Sequence, residues 1–430
     1  MPYKPSPPYP CRALLVSAAL AALAGLSGCD KPPASGSAPT TAPAATKPAS
    51  DAGKAPADTS STAAAPAGAA TSSAGPIVIG VAAPLTGNSA AFGTQIRLGV
   101  LTAVATVNKA GGVNGRMVET VMKDDAGSAA DAGNVATSLA SDPRVMAVVG
   151  HFNSSCSNAG KEAYRQAGMV MFSPASTAVN VTKDSDGYVF RNIFTDDFQG
   201  RSLAEYAVTV LGAKKIAILF DNDDYGIGLK DSFVKRATEL TADTGSATAY
   251  NKDTVDFRSQ LTTIQGASPD AILVAGLYAQ AATIAKQARE LGIKAPFLGG
   301  DGVMSDEYMK LAGEAAEGAY VTFPMLFELA GDKAKAFRTE FIATNKGVEP
   351  DCWAALSYDA FMMIIEGLKK DPSRAGVRTY LKTINSEAVA YDGLCGKTFF
   401  DANGDCRKAV QFAVVKNGKF TAAEKQLAVK

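Results

Sequence analysis

Histidine and tryptophan are nearly absent from this chain. Among its 430 residues there is one of each, His151 and Trp353. A single imidazole falls short of the histidine sets that zinc sites and histidine-based triads usually draw on, so neither a metal centre nor such a triad is expected. Blocks of like charge are missing as well: 42 basic and 42 acidic residues cancel, and no run of one sign occurs. This removes the electrostatic footprint of a nucleic-acid binder and the polybasic patch of a membrane-surface protein. No serine sits in a G-x-S-x-G elbow, which argues against a hydrolase built on a doubly wound sheet. Long apolar runs are scarce too. The run Ala13 to Leu26 has 14 residues, whereas a membrane-spanning helix needs about 20.

That run nevertheless carries information. Arg12 precedes it and small residues follow, which is the anatomy of an export signal. Its end, Leu26-Ser27-Gly28-Cys29, resembles the lipobox of bacterial lipoproteins. The resemblance implies a signal peptide over residues 1–28, cleavage before Cys29 and a lipid on its sulfur. The following Asp30 resembles the enterobacterial signal for retention at the inner membrane. Export disfavours ATP, NAD or nucleic acid as partner, and no cofactor is expected. Residues Asp30 to Gly75 hold no apolar side chain larger than Ala or Pro. Such a segment cannot bury enough surface to offset its ordering entropy and reads as a flexible tether, with a span of roughly 35–40 Å.

Of six cysteines, Cys11 leaves with the signal and Cys29 carries lipid, leaving Cys156, Cys352, Cys395 and Cys406. In an oxidising compartment four thiols allow three pairings. Cys395 and Cys406 flank a turn, so a disulfide between them is the favoured possibility, with Cys156 and Cys352 paired or free.

From Pro76 onward the pattern changes. Short all-apolar stretches bounded by Gly or Asp, such as Ile77–Val81, Val145–Gly150 and Ala271–Ala275, alternate with helical periodicity. This predicts parallel sheets covered on both faces, and the roughly 355 residues left after signal and tether suffice for two lobes. Helices are expected near residues 93–108, 129–140, 157–167 and 197–211. Near the C-terminus, Gly393–Phe400 and Ala409–Val415 flank the turn Asp401-Ala402-Asn403-Gly404 and read as paired extended segments.

In doubly wound sheets ligands sit at the carboxyl ends of strands. After Gly150 comes His151-Phe152-Asn153-Ser154-Ser155-Cys156-Ser157, small polar residues opening a helix, where free N–H groups and the dipole attract a carboxylate. A second Ser/Thr turn, Ser173-Pro174-Ala175-Ser176-Thr177, follows Met171-Phe172. The loop Asp221 to Gly228 lacks the spacing of a phosphate cradle and its three Asp residues repel phosphate. Asp301, after Leu298-Gly299-Gly300, could receive an ammonium group or simply form a turn. Donors for an anion in one half and an acceptor for a cation in the other would suit a zwitterion.

The segments IGVAAPLTGNSAAFGTQIRLGV, NKAGGVNGR, VMKDDAG, VVGHFNSSCS, MFSPASTA, DNDDYGIGL, DFRSQLTTI, FLGGDGVMS and EGAYVTFP together resemble the periplasmic leucine/isoleucine/valine-binding proteins of ABC importers. The resemblance implies an α/β fold of type I: two doubly wound parallel-sheet lobes joined by three hinge strands near Arg191–Ile193, Thr322–Met325 and Arg407–Ala409. Lobe 1 would comprise residues 76–192 and 324–407, and lobe 2 residues 193–323 and 408–430. It further implies a solute-binding function without catalysis, a hydrophobic amino acid as ligand, an inner-membrane permease as partner and a periplasmic monomer held to the membrane by its lipid alone. A ligand-sensing module for an amide, urea or aromatic acid is the alternative on the same fold. By resemblance, Ser154, Ala175 and Thr177 hold the ligand carboxylate, with Phe152 and Ser176 in the same loops. Asp301 meets the ammonium, Tyr225 closes over the ligand, Trp353 forms an aromatic wall of the side-chain pocket, Leu277-Tyr278 stands where another pocket tyrosine is expected, and Phe92 is a ligand contact without the family's hydroxyl. The family commonly has Tyr at the Phe92 position and Glu at the Asp301 position; Asp is shorter by one C–C bond, about 1.5 Å.

Overall fold

The computed structural model describes residues 75–427. The expected signal, Cys29 and the tether up to residue 74 lie outside the described residues.

The first sheet grows from the apolar runs that the sequence places every 20 to 40 residues. In chain order it comprises β1 (Ile77–Ala83), α1 (Ala90–Lys109), β2 (Val118–Asp124), α2 (Ala129–Ser141), β3 (Val145–Gly150), α3 (Ser154–Gln166), β4 (Val170–Ser173) and β5 (Val189–Arg191). The strands are all parallel in the order β2-β1-β3-β4-β5. Every residue of β1 is buried, as expected of a strand covered on both faces.

The chain then enters the second sheet through α4 (Asp196–Glu205), which Thr195 caps by accepting the Phe198 N–H and which continues as a π-turn over Tyr206–Val210. There follow β6 (Ile216–Asp221), α5 (Asp224–Glu239), β7 (Thr248–Tyr250), α6 (Arg258–Ala267), β8 (Ala271–Ala275), α7 (Tyr278–Glu290), β9 (Phe297–Gly299), α8 (Asp306–Ala312) and β10 (Tyr320–Phe323). Next, α9 (Asp332–Thr344), α10 (Cys352–Lys370) and α11 (Arg374–Thr383) return to the first sheet. Gly99 of α1 lies so close to α10 that a Cβ there would stand 2.2 Å from the Ala354 carbonyl oxygen. The Arg374 guanidinium donates to the carbonyls of Val145, Ala167 and Asp142 below that sheet. A small hairpin, β11 (Tyr391–Gly393) with β12 (Gly396–Thr398), precedes β13 (Gln411–Lys416) and β14 (Lys419–Ala422), which rejoin the second sheet. The chain therefore passes between the sheets three times.

Two expectations need correction. The second sheet, β14-β13-β10-β9-β8-β6-β7, is mixed, because β13 runs antiparallel to β10 and to β14. The extended segments around Asn403-Gly404 do not pair as a hairpin. Residues 396–398 pair with 391–393, residues 411–414 pair with 320–323, and only a single bridge, Phe400 to Cys406, joins the two arms. The turn itself docks on the first sheet: the Arg191 N–H donates to the Gly404 carbonyl, and a Cβ on Gly404 (φ 95°) would meet the Val189 carbonyl oxygen at 2.2 Å.

The expected Cys395–Cys406 disulfide is also absent; all four cysteines of the described residues are free thiols. Lys408 ties the two segments instead. Its ammonium donates to the carbonyls of Cys395 and Lys397 and to Thr398 Oγ1, while Cys406 Sγ turns to the Ile193 carbonyl at 3.4 Å.

Candidate ligand-binding cleft

Each candidate residue follows a strand end or opens the next helix, so the two sheets present them toward one another. Helix α3 starts three residues earlier than the sequence suggested, at Ser154, with Asn153 as its N-cap. The N-cap makes no side-chain hydrogen bond, so the first-turn N–H groups are left for an outside acceptor. Ser154 Oγ accepts the Ala178 N–H at 3.2 Å, joining this helix start to the Ser/Thr turn. Ser176 braces the same junction from behind: its hydroxyl is within 2.9 Å of the Phe152 carbonyl and 2.7 Å of Ser157 Oγ. Below them, His151 is buried between Asp125 (2.7 Å) and Tyr164 (3.0 Å). The one histidine thus lies beneath the loop.

Asp301 faces this donor set. It follows β9 in the run Gly299-Gly300-Asp301-Gly302, and the glycines have a reason. A Cβ on Gly300 would stand 2.3 Å from the Tyr225 hydroxyl, and one on Gly302 would stand 2.8 Å from the Tyr225 ring. The ring packs directly on the backbone, donates its hydroxyl to Asp301 Oδ1 (2.9 Å) and accepts the Gly302 N–H (3.0 Å). Gln199 Nε2 adds a second bond to Oδ1 at 2.8 Å. Burial pushes the Asp301 carboxyl up to about 6, against the pull of these donors. Both side-chain donors use Oδ1.

Between the two sets lies a cavity of about 20 Å³ bounded by Phe152, Asn153, Ser154, Ala175, Thr177, Tyr225, Leu277, Asp301 and Gly302. Six of the ten candidate residues are in that boundary. Three others form one ring cluster beside it: Phe92 stacks on Phe152 at 4.4 Å and meets Tyr278 and Trp353 edge-on at 5.0 and 5.6 Å. Ser176 does not line the cavity. Sequence reasoning missed Asn153, Leu277 and Gly302 as lining residues and Gln199 as an Asp301 partner. Leu277 lines the cavity, and Tyr278 beside it belongs to the ring cluster instead.

The cavity holds one water at most, whereas ligand pockets measure about 300 Å³ or more. An amino acid enters only if the lobes part or the ring cluster turns. Contacts between loops of the two sheets lie at the rim. The Asp224 N–H donates to Ser155 Oγ and Asn158 Nδ2 to the Asp224 carboxylate (2.8 Å), while Lys252 Nζ reaches the Gly127 carbonyl. A wider cleft of about 1130 Å³, whose lining includes Ala91, Met304 and Cys352, touches none of the ten candidate residues.

Residues 76–419 match the periplasmic binding protein family. The chain belongs to this family. Among curated relatives it is 33% identical to an amino acid binding protein of Pseudomonas aeruginosa, over 77% of this chain and 87% of that protein. It is 32% identical to Leu/Ile/Val-binding protein homolog 2 of Brucella abortus, over 76% and 87%. Among solved structures it resembles the branched-chain amino acid transporter substrate binding protein of Streptococcus pneumoniae in complex with isoleucine. The TM-score is 0.76 at 33% identity, covering 81% of this chain and 99% of that one. The two-lobed α/β architecture of this periplasmic binding protein is accordingly the one its sequence announced, with the mixed second sheet as the difference.

Proposed function

We propose that this protein is the extracytoplasmic solute-binding component of an ABC importer. It takes a branched-chain or related hydrophobic amino acid between two closing lobes, hands it to an inner-membrane permease and catalyses no reaction. The observation that carries this reading is the polarity of the cleft. Ser154, Ala175 and Thr177 with the open first turn of α3 suit a carboxylate, Asp301 and Tyr225 across the cavity suit an ammonium, and Phe92, Phe152, Tyr278 and Trp353 suit an apolar side chain. Ser176 holds the loops in register. The isoleucine complex of the streptococcal relative supports the same choice of ligand. Lobe 1 is residues 76–192 with 324–407, lobe 2 residues 193–323 with 408–430, and the three crossings act as hinges. The protein works as a monomer, tethered through lipidated Cys29 and residues 30–75.

A thermal-unfolding screen against the twenty amino acids tests this. A ligand at 100 times its dissociation constant adds about 2.7 kcal/mol of stability; no response to any amino acid refutes the reading. Replacement Cys29→Ser should move the protein from membranes to the soluble fraction without altering its unfolding midpoint, and persistence in the membrane pellet refutes the anchor.

A further inference from the structure

Behind the Ser/Thr turn stands a buried cation. The Arg191 side chain, at the end of β5, is 0% exposed. Its Nη1 donates to the carbonyls of Ser176 and Ala178, each at 2.9 Å, and so grips the turn on both sides of Thr177. Its Nε donates to Asp405 Oδ1 at 2.5 Å and its Nη2 to Thr182 Oγ1 at 3.0 Å, and the Thr182 hydroxyl closes the ring by donating to Asp405 Oδ1 at 2.7 Å. Arg191 ends β5, just before the first passage between the sheets, and Asp405 lies between β12 and β13, on the third. A mere tie does not ask for an arginine here, because apolar residues of similar volume often replace a buried ion pair without loss of stability. The turn itself supplies the other half of the argument. The Ser176 carbonyl belongs to the peptide unit that carries the Thr177 N–H; that peptide is trans, so the N–H points away from the guanidinium. Thr177 bounds the cavity. Its carbonyl accepts the Asp196 N–H at 2.8 Å, while its own N–H meets no acceptor among the described residues. No Lys or Arg bounds the cavity. An anion entering there meets peptide N–H groups whose far ends are already held by a positive charge, and hydrogen bonds in such a chain strengthen one another.

We propose that Arg191 is a positioning residue for the ligand carboxylate. It holds and polarises the Ser176–Thr177 peptide so that the Thr177 N–H meets the carboxylate, and through Asp405 it fastens that donor to the first and third passages between the sheets. This rests on the amino-acid reading of the cleft and deepens it: a charge that never touches the ligand sets the preference for a carboxylate over a neutral end.

The test is calorimetry at pH 6.5 on the full chain with L-isoleucine, or with whichever of the twenty amino acids binds tightest, and with the carboxamide of the same amino acid. An α-amino group titrates at about 8, so both probes carry an ammonium and differ only in the carboxylate. Wild type should bind the amino acid at least a hundredfold more tightly than the amide. Arg191→Met fills the same space without charge or donors. It should weaken the amino acid at least tenfold and the amide less than twofold, so that the preference itself shrinks at least fivefold. Equal losses on the two probes, which a merely structural tie would give, overturn the inference alone, as does an amino-acid affinity within twofold of wild type. Should Arg191→Met not fold, Arg191→Lys decides. It keeps the charge but not the planar fork that reaches four partners at once, and it should shrink the preference at least threefold; an unchanged preference overturns the inference. Wild type that binds no amino acid overturns the reading of the cleft, and the inference with it.

Discussion

Acidification should loosen the ligand, and the size of the effect follows from Asp301. Burial holds this carboxyl at about 6 in the folded chain, against 3.8 for an unburied aspartate. A ligand ammonium pairs with the carboxylate and not with the acid, so any proton on Asp301 must leave before the contact forms. At pH 7 about nine-tenths of the molecules are already ionised there; at pH 5 only about one in eleven is. The apparent dissociation constant should therefore rise about tenfold from pH 7 to pH 5, or about 1.4 kcal/mol. Neither end of a free amino acid titrates in that interval, so the change belongs to the protein. Stability of the ligand-free protein should run the other way. Between pH 3.8 and 6 the folded state holds a proton that the unfolded chain has released, so stability falls as pH rises through this window. The cost is fully present above about pH 6 and relieved below about 3.8, and the gap corresponds to about 3 kcal/mol. Titration calorimetry with an amino acid from pH 5 to 8, alongside unfolding by denaturant over pH 4 to 7, reads both. Asp301→Asn keeps the shape without the charge and should bind weakly with a flat profile. A wild-type affinity that varies less than twofold between pH 5 and 7 would refute the reasoning.

Two more outcomes follow from the geometry. Asp224→Ala removes the carboxylate that Asn158 clasps across the rim at 2.8 Å; the closed form should lose about 0.5–1.5 kcal/mol, seen in stopped flow as ligand release about two- to tenfold faster, and an unaltered release rate would rule the contact out as a latch. Trp353→Ala empties a fully buried site against Phe92 and Phe152; unfolding by denaturant should show a loss of about 3–5 kcal/mol, and a loss below about 1 kcal/mol would mean that the ring cluster is not core.

What could be read from the sequence, and what could not, divides along physical lines. β1, β3 and β8 are continuous apolar runs buried on both faces, so hydrophobicity alone reveals them. β5 and β7 have three residues each, too few for a period to register. β13 was visible as a strand, but pairing is not written in a strand's own alternation; its partner Tyr320–Phe323 lies about ninety residues earlier. The site followed the same rule. Residues after strand ends were found because topology directs loops at the cleft. Gln199, the Asp301 partner, was not, since it sits inside a helix whose own spacing gives no pointer to the cleft.

The same acceptors that recognise a ligand can also govern closure. Asn153 Oδ1 and Gln199 Oε1 are buried without a protein donor, and parting the lobes would give both to water. A buried polar group left this way costs about 1–3 kcal/mol, so the two residues bias the ligand-free protein toward the open form by about 2–6 kcal/mol. Turning a two-state equilibrium from 1:99 to 99:1 takes about 5.5 kcal/mol. An ammonium that meets these oxygens, together with a carboxylate that meets the first turn of α3, supplies interaction of that size only in the closed state. On this account the lobes shut because the ligand brings the donors that the cleft lacks, and a ligand without an ammonium should bind to one lobe and leave the other swung away.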